Sequence, residues 1–198
     1  WQLSIQQFVV ETSRGGTDYY RWRDGEGTDH FFPKSGSQPY RDQSGLGMEL
    51  SVSGSGDTGF VTITDKQGVS LKFTTFSTWR NQADTRYIYW LTNIADAVTD
   101  AGGNRVNMAR FVFAMDEDRL PVGGKVAEVI DGAGRVTTLS YNGEGMLGSI
   151  AAPGNPVVSY TYTNGLLTGI GYGDIAGGTS YTYTQSGLLT SATNFDGL

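Results

Sequence analysis

The 198-residue sequence contains no cysteine and a single histidine, His30. The lack of cysteine excludes disulfides, zinc–thiolate sites and a cysteine nucleophile. A catalytic triad or a histidine-based metal site needs partners that the stretch Thr28–Phe32 does not supply. We therefore expect His30 to be an ordinary surface or edge-strand residue, and we predict no catalytic residue, no metal and no cofactor.

Long apolar runs and clusters of one charge are also missing. A membrane-spanning helix needs about 20 apolar residues, and no such run exists, so we expect no membrane insertion. The net charge is −6, which argues against nucleic acid and anionic membranes as partners. No signal peptide is visible, and because the chain opens with Trp1 we expect a processed product or a fragment of something longer.

Glycine and aromatic residues are abundant, with 29 Gly, 11 Tyr and 9 Phe. Aromatic and β-branched residues suit a pleated, half-buried surface, and glycine suits tight turns. Few segments show a helical pattern. The composition predicts an all-β fold of consecutive antiparallel hairpins in a curved, spiralling sheet with little or no helix.

A repeat is visible in the last third of the chain, where Tyr141, Tyr162 and Tyr183 are spaced 21 residues apart. Residues two apart share one face of a strand, and a glycine-containing turn reverses the chain after each tyrosine. Each unit is therefore predicted to be a β-hairpin that needs stacked neighbours to bury its apolar face. The other repeat-defining positions are Leu139, Tyr160 and Tyr181 before the turns, and Leu147, Leu167 and Leu189 after them.

A second pattern, Asp-x-x-Gly with a large apolar residue five positions after the glycine, runs through more of the chain. Aspartate can accept hydrogen bonds from turn amides two or three residues on, and glycine takes the left-handed position. The pattern predicts turns between strands. It occurs at Asp24/Gly27/Phe32, Asp65/Gly68/Phe73, Asp100/Gly103/Met108 and Asp131/Gly134/Leu139.

Residues 120–124, with a proline and two glycines, suggest a soft boundary. We therefore divide the chain into a β-rich lead-in with degenerate hairpins, 1–120, and a region of hairpin repeats, 121–198, within one continuous β architecture. Residues 87–91 and 108–113 are expected to be buried strands, and Asp116–Asp118 a solvated turn.

Residues 160–167 (YTYTNGLL) and 181–189 (YTYTQSGLL) resemble the YD repeats of the RHS family, and residues 130–136 and 98–106 resemble its inter-repeat turns. Thr163 and Thr184 replace the consensus aspartate, and Leu166 and Leu188 replace the arginine. The resemblance implies a segment of a large secreted or bacterial cell-surface protein, whose hairpins build a shell that encloses or presents another domain. Its partners would be the adjoining repeats and domains of the parent protein. No toxin domain or self-cleaving motif of the family is present.

Two other classes of function remain open. A carbohydrate- or receptor-binding module would use exposed aromatic residues, here Tyr19, Tyr20, Trp22, Trp79 and Trp90. A polysaccharide-active enzyme would need two carboxylates across a cleft, and the spacing of Glu49, Glu128, Asp131 and Glu144 selects no pair. Residues 24–29 have the look of a calcium loop but lack the EF-hand pattern, so a hairpin turn is favoured. Exposed strand edges also predict self-association.

Overall fold

The computed structural model describes residues 5–55, 58–81, 84–115, 121–173 and 177–194. The prediction of an all-β fold of antiparallel hairpins is confirmed, since sixteen strands and no α-helix lie in this part of the chain. Within the same ranges, no helix has the length and hydropathy needed to span a bilayer. The strands are β1 Phe8–Arg14, β2 Thr17–Arg23, β3 Asp29–Pro33, β4 Tyr40–Arg41, β5 Glu49–Ser53, β6 Phe60–Thr64, β7 Ser70–Asn81, β8 Asp84–Thr99, β9 Arg105–Met115, β10 Pro121–Asp131, β11 Val136–Tyr141, β12 Leu147–Ala151, β13 Val158–Thr163, β14 Leu166–Tyr172, β15 Gly178–Tyr183 and β16 Leu189–Thr193.

The chain forms two compact units, residues 1–134 with β1–β10 and residues 135–198 with β11–β16. The break that we expected at residues 120–124 falls partly inside β10, which belongs to the first unit. A register shift between Pro121 and Val126, with Gly124 at a positive φ, takes the place of a chain break. Proline and glycine mark an irregularity within a strand here, as they do at β-bulges. The expected turn at Asp116–Asp118 lies outside the described residues.

In the first unit, β8 joins two sets of consecutive hairpins. Strands β4 to β10 pair in sequence order, and β1, β2 and β3 form a second series. β8 pairs with β1 through Ile88–Trp90 and with β9 through Asn93–Thr99. One long strand therefore serves both series with different parts of its length.

The core of the first unit follows from the alternation of apolar and polar residues along its strands. In β6, for example, Val61 and Ile63 are buried while the residues between them are not. Phe32 and Phe73, each five positions after a turn glycine, are fully buried, whereas Met108 at the same place in its turn is 49 % exposed. The buried core comprises Val9, Tyr20, Trp22, Phe32, Leu50, Val61, Ile63, Phe73, Tyr89, Leu91, Phe111, Phe113 and Val126.

The second unit consists of the hairpins β11/β12, β13/β14 and β15/β16, with β12 also paired to β13 and β14 to β15. Its burial is lower than that of the first unit and decreases along the chain. Leu139 is buried, most apolar side chains of β12–β14 are half-buried, and Leu188 and Leu189 are 67 % and 57 % exposed. The last hairpin thus presents uncovered apolar surface.

Candidate functional site

One five-residue turn recurs at Asp24, Asp65 and Asp100, where the Asp-x-x-Gly pattern predicted turns. In the first of them, the Asp24 amide donates to the carbonyl of Thr28 (3.0 Å), and the Gly27 amide donates to the carbonyl of Asp24 (3.2 Å). The Asp24 carboxylate accepts hydrogen bonds from the amides of Glu26 and Thr28, both 2.9 Å. The carboxylate thus accepts bonds from the amides two and four positions on, whereas the sequence pattern predicted amides two or three positions on. The same bonds occur at Asp65 and Asp100.

The turn also occurs twice in the second unit, without aspartate. Asn142 binds the amides of Glu144 and Met146 through its side-chain oxygen, and the Thr184 hydroxyl accepts a bond from the Leu188 amide (3.0 Å). The backbone bonds match those of the aspartate turns. The sequence predicted these turns from their glycines, but it did not identify the side-chain oxygens of Asn142 and Thr184 as acceptors for the turn amides, although each residue stands three positions before a glycine.

The three hairpins of the second unit place the repeat residues at equivalent positions. Tyr141 is opposite Leu147, Tyr162 opposite Leu167 and Tyr183 opposite Leu189, each directly after a register shift. Two pairs further from the turn, Leu139, Tyr160 and Tyr181 are opposite Ile150, Ile170 and Ala192. The 21-residue spacing therefore corresponds to one hairpin with a fixed register.

Tyrosine hydroxyls connect each hairpin to the one before it. The Tyr162 hydroxyl donates to the carbonyl of Leu147 (2.9 Å), and the Tyr183 hydroxyl donates to the carbonyl of Leu167 (2.7 Å). Burial, together with nearby Tyr160, raises the pKa of Tyr162. We call these two bonds the tyrosine ladder. Leu189 is at the position in the last hairpin that Leu147 and Leu167 occupy in the first two, so its carbonyl could accept a bond from the tyrosine of a further hairpin.

We expect Tyr162→Phe to lower the free energy of unfolding of the second unit by about 0.5–1.5 kcal/mol, because it removes one net hydrogen bond and little apolar area. The matched control is Tyr160→Phe, on the same strand and face, whose hydroxyl has no hydrogen-bond partner in the described part of the chain. Urea unfolding followed by tyrosine fluorescence measures both. Equal losses in the two variants would show that the ladder bond contributes nothing.

Two of the five aromatic residues predicted to bind ligand, Tyr20 and Trp22, are each 5 % exposed and lie in the core. The Trp22 ring stacks on the imidazole of His30 at 4.7 Å, and the Lys34 ammonium lies 4.7 Å from the centre of the Tyr20 ring. Their ring faces contact protein instead of a sugar.

Of the other three aromatic residues, Tyr19 and Trp90 do not share a platform with Tyr20 and Trp22. Tyr19 is on the opposite face of β2 and meets Phe31 edge-on at 5.9 Å. Trp90 packs against Phe8 at 5.4 Å and Phe113 at 6.1 Å. The side chain of Trp79 lies outside the described residues.

His30 occupies β3, which pairs only with β2 among the described strands. It therefore lies on an edge strand, one of the two expected positions, but its side chain is buried, and its Nε2 is 2.9 Å from Oδ2 of Asp24. Burial acts to raise the pKa of Asp24, but the bonds from His30 and from the Thr28 and Glu26 amides outweigh it and hold this pKa below its usual value. Asp24 therefore fixes both its own turn and the imidazole.

Two of the three carboxylates of the suspected calcium loop, those of Asp24 and Asp29, already have protein partners. Asp24 binds two amides and His30, and Asp29 binds Arg23 through two bonds of 2.9 Å and Arg21 at 3.3 Å. Of the carboxylates considered for hydrolysis, Glu49 pairs with Arg41 at 3.1 Å, and Asp131 accepts a bond from the Ala133 amide. No group of three or more potential metal ligands was found in the described ranges.

Comparison with protein-family models gives no match, and comparison with curated proteins gives none either. The resemblance to YD repeats therefore depends on the residues and their spacing, and it enters below as a proposal.

Proposed function

We propose that this chain is a structural segment of a large secreted or bacterial cell-surface RHS/YD-repeat protein. Its hairpins would build a β-scaffold that encloses or presents another domain of the parent. The observation that carries the proposal is the tyrosine ladder, in which Tyr162 and Tyr183 each bind a carbonyl of the preceding hairpin.

The ladder favours a scaffold because the middle hairpin, β13/β14, both donates to the hairpin before it and accepts from the hairpin after it. Main-chain carbonyls are present in every repeat, so the contact can be extended without any new side-chain chemistry. A repeat structure of this kind gains stability from each neighbouring interface. This arrangement therefore favours a scaffold that can be extended hairpin by hairpin over a single closed binding site.

The last hairpin has the features of a surface that receives another strand. β16 pairs only with β15 among the described strands, and its first residue, Leu189, and the preceding Leu188 are exposed. Edge strands with uncovered apolar neighbours favour pairing with further β-structure. In the proposed protein this surface would bind an adjoining repeat, and in isolation it would favour self-association.

We propose that the segment has no catalysis of its own. The buried His30 contacts the half-buried Asp24, and the carboxylates of Asp29 and Glu49 form ion pairs with arginines. A measurable hydrolysis of glycan, ester or peptide that one carboxylate substitution abolishes would contradict this.

The proposal is tested by adding one repeat. A copy of residues 156–176 placed directly after Gly197 preserves the 21-residue spacing. We expect amide exchange in residues 181–193 of the original chain to slow by about tenfold or more, because an added neighbour raises the free energy of local opening.

The matched control carries the same extension with Tyr160→Ser and Tyr162→Ser in the copy only. It retains the length and the turn but cannot form the ladder bond, so its protection should remain near that of the original chain. No gain in protection from the intact copy, or an equal gain from both copies, would overturn the scaffold proposal.

A further inference from the structure

Polar side chains of four adjacent strands form a groove in the first unit. In β6 and β7, Thr62 lies opposite Lys72, and in β7 and β8, Lys72 lies opposite Asn93. Since Val61 and Ile63 of β6 point into the core, the alternating residues lie on the outer face. The groove has a volume of about 330 Å³ and is lined chiefly by Thr62, Thr64, Lys72, Asn93, Arg105 and Asn107. This is at the lower end of the range of roughly 300–1,000 Å³ for small-ligand sites.

The groove is locally cationic in a chain of net charge −6. The Lys72 ammonium lies 4.2 Å from the centre of the Phe60 ring, and Nη1 of Arg105 donates to the carbonyls of Gly68 and Asp96. Neither cation forms an ion pair with a carboxylate in the described ranges. Both are thus held in position by neutral groups rather than by a carboxylate.

The nearest acidic residue on the neighbouring strand does not cancel them. Glu49 of β5 lies opposite Thr64, but its carboxylate is paired with Arg41 at 3.1 Å. Asp96 gives its carbonyl to Arg105, while its carboxylate accepts bonds from the amides of Ala97 and Val98. An anion entering the groove would therefore meet two cations.

The rest of the lining can both donate and accept hydrogen bonds. Asn93 donates to the side-chain oxygen of Asn107 at 2.7 Å. This bond leaves the Asn93 oxygen as an acceptor and the Asn107 nitrogen as a donor, with the hydroxyls of Thr62 and Thr64 nearby. A donor and an acceptor side by side match neighbouring hydroxyls of a sugar ring, whereas a simple anion needs donors only.

We propose that this groove binds an acidic saccharide, with its carboxylate or sulfate at Lys72 and Arg105 and its hydroxyls at Asn93 and Asn107. The inference is independent of the scaffold proposal, since it concerns residues 62–107 and no hairpin of the second unit.

Calorimetric titration of the full chain with three hexasaccharides tests the site: one with uronate groups, one with sulfate groups and one neutral. We expect at least one acidic hexasaccharide to bind and the neutral one not to bind. Lys72→Gln should weaken binding by roughly tenfold, the loss typical of one charge-assisted contact. The control is Lys66→Gln, an exposed lysine in the turn of the same hairpin, which should bind as the original chain does.

A second variant separates a saccharide site from a simple anion site. Asn107→Ala should weaken binding of the acidic hexasaccharide while leaving any binding of inorganic sulfate unchanged. Thermal unfolding of each variant verifies that it is folded. The proposal is overturned if the neutral sugar binds equally well, if Lys72→Gln and Lys66→Gln have the same effect, or if inorganic sulfate binds as tightly as the hexasaccharide.

Discussion

Phe73→Ala is expected to lower the free energy of unfolding by about 3–5 kcal/mol, the usual loss when a large aromatic side chain is removed from a core. Phe73 is fully buried and lies between Val61 of β6 and Leu91 of β8. Its removal would leave a cavity that two strands would have to collapse to fill. Urea unfolding followed by tryptophan fluorescence reports on this unit, because all four tryptophans lie within residues 1–134.

Met108→Ala is the matched control for this substitution. Met108 occupies the same place relative to its turn as Phe73, five positions after the glycine, yet it is 49 % exposed. Its truncation should change the free energy of unfolding by less than about 0.5 kcal/mol, as most surface substitutions do. If both variants lost the same stability, burial of Phe73 would not be what stabilises the first unit.

The second large effect is expected from Gly124→Ala in β10. Gly124 has a φ of +70°, and a methyl group at this position would overlap the six-membered ring of Trp90. The left-handed conformation costs a non-glycine residue about 1–2 kcal/mol, and overpacking adds typically 1–3 kcal/mol. The expected loss is therefore about 2–5 kcal/mol, accompanied by a change in the tryptophan emission of the folded protein.

Gly134→Ala separates the cost of the left-handed backbone conformation from the cost of overpacking against Trp90. Gly134 has a φ of +80°, but no atom lies within 4 Å of the position its Cβ would take. It should show only the conformational cost, about 1–2 kcal/mol, with the emission spectrum unchanged. Equal losses at Gly124 and Gly134 would mean that close approach to Trp90 does not determine the stability of this region.

Features that depend on residues close in the chain could be predicted from the sequence. The 21-residue tyrosine spacing and the Asp-x-x-Gly turns are local, because strand alternation and turn chemistry act over a few residues. The register of Tyr162 against Leu167 and the carboxylate bonds of Asp65 are examples. Asn142 and Thr184 take the place of that aspartate by the same chemistry, but the Asp-x-x-Gly pattern alone does not include them.

Contacts between distant residues could not be predicted in this way. β1 pairs with β8 through Phe8 and Trp90, and Gln6 donates to the carbonyl of Gly124, 118 positions away. The alternation of apolar and polar residues identifies each strand as half-buried, but it does not show which other strand pairs with it. For the same reason Tyr20 and Trp22 could be predicted as strand aromatics, but not assigned to the core rather than to a sugar platform.

The candidate sites could not be predicted from the sequence, because neither depends on a recognisable sequence motif. The acceptors of the tyrosine ladder are main-chain carbonyls, such as that of Leu147, which any residue could provide. The groove combines single polar residues from four strands, and each is an ordinary outward-facing position by itself. Lys72 and Arg105 become neighbours of one cavity only through the pairing of β7, β8 and β9.

The recurring turn has a consequence for how such a repeat can diverge. Its hydrogen bonds require a side-chain oxygen at the first position and a glycine at the fourth, as at Asp65 and Gly68. At positions two, three and five, only main-chain atoms take part in these bonds. The side-chain oxygen at position one can come from aspartate, asparagine or threonine. The turn therefore constrains the residue type at only two of its five positions. Copies of one hairpin can drift far apart in residue identity while their geometry is kept, and spacing then records their common origin better than any consensus of letters.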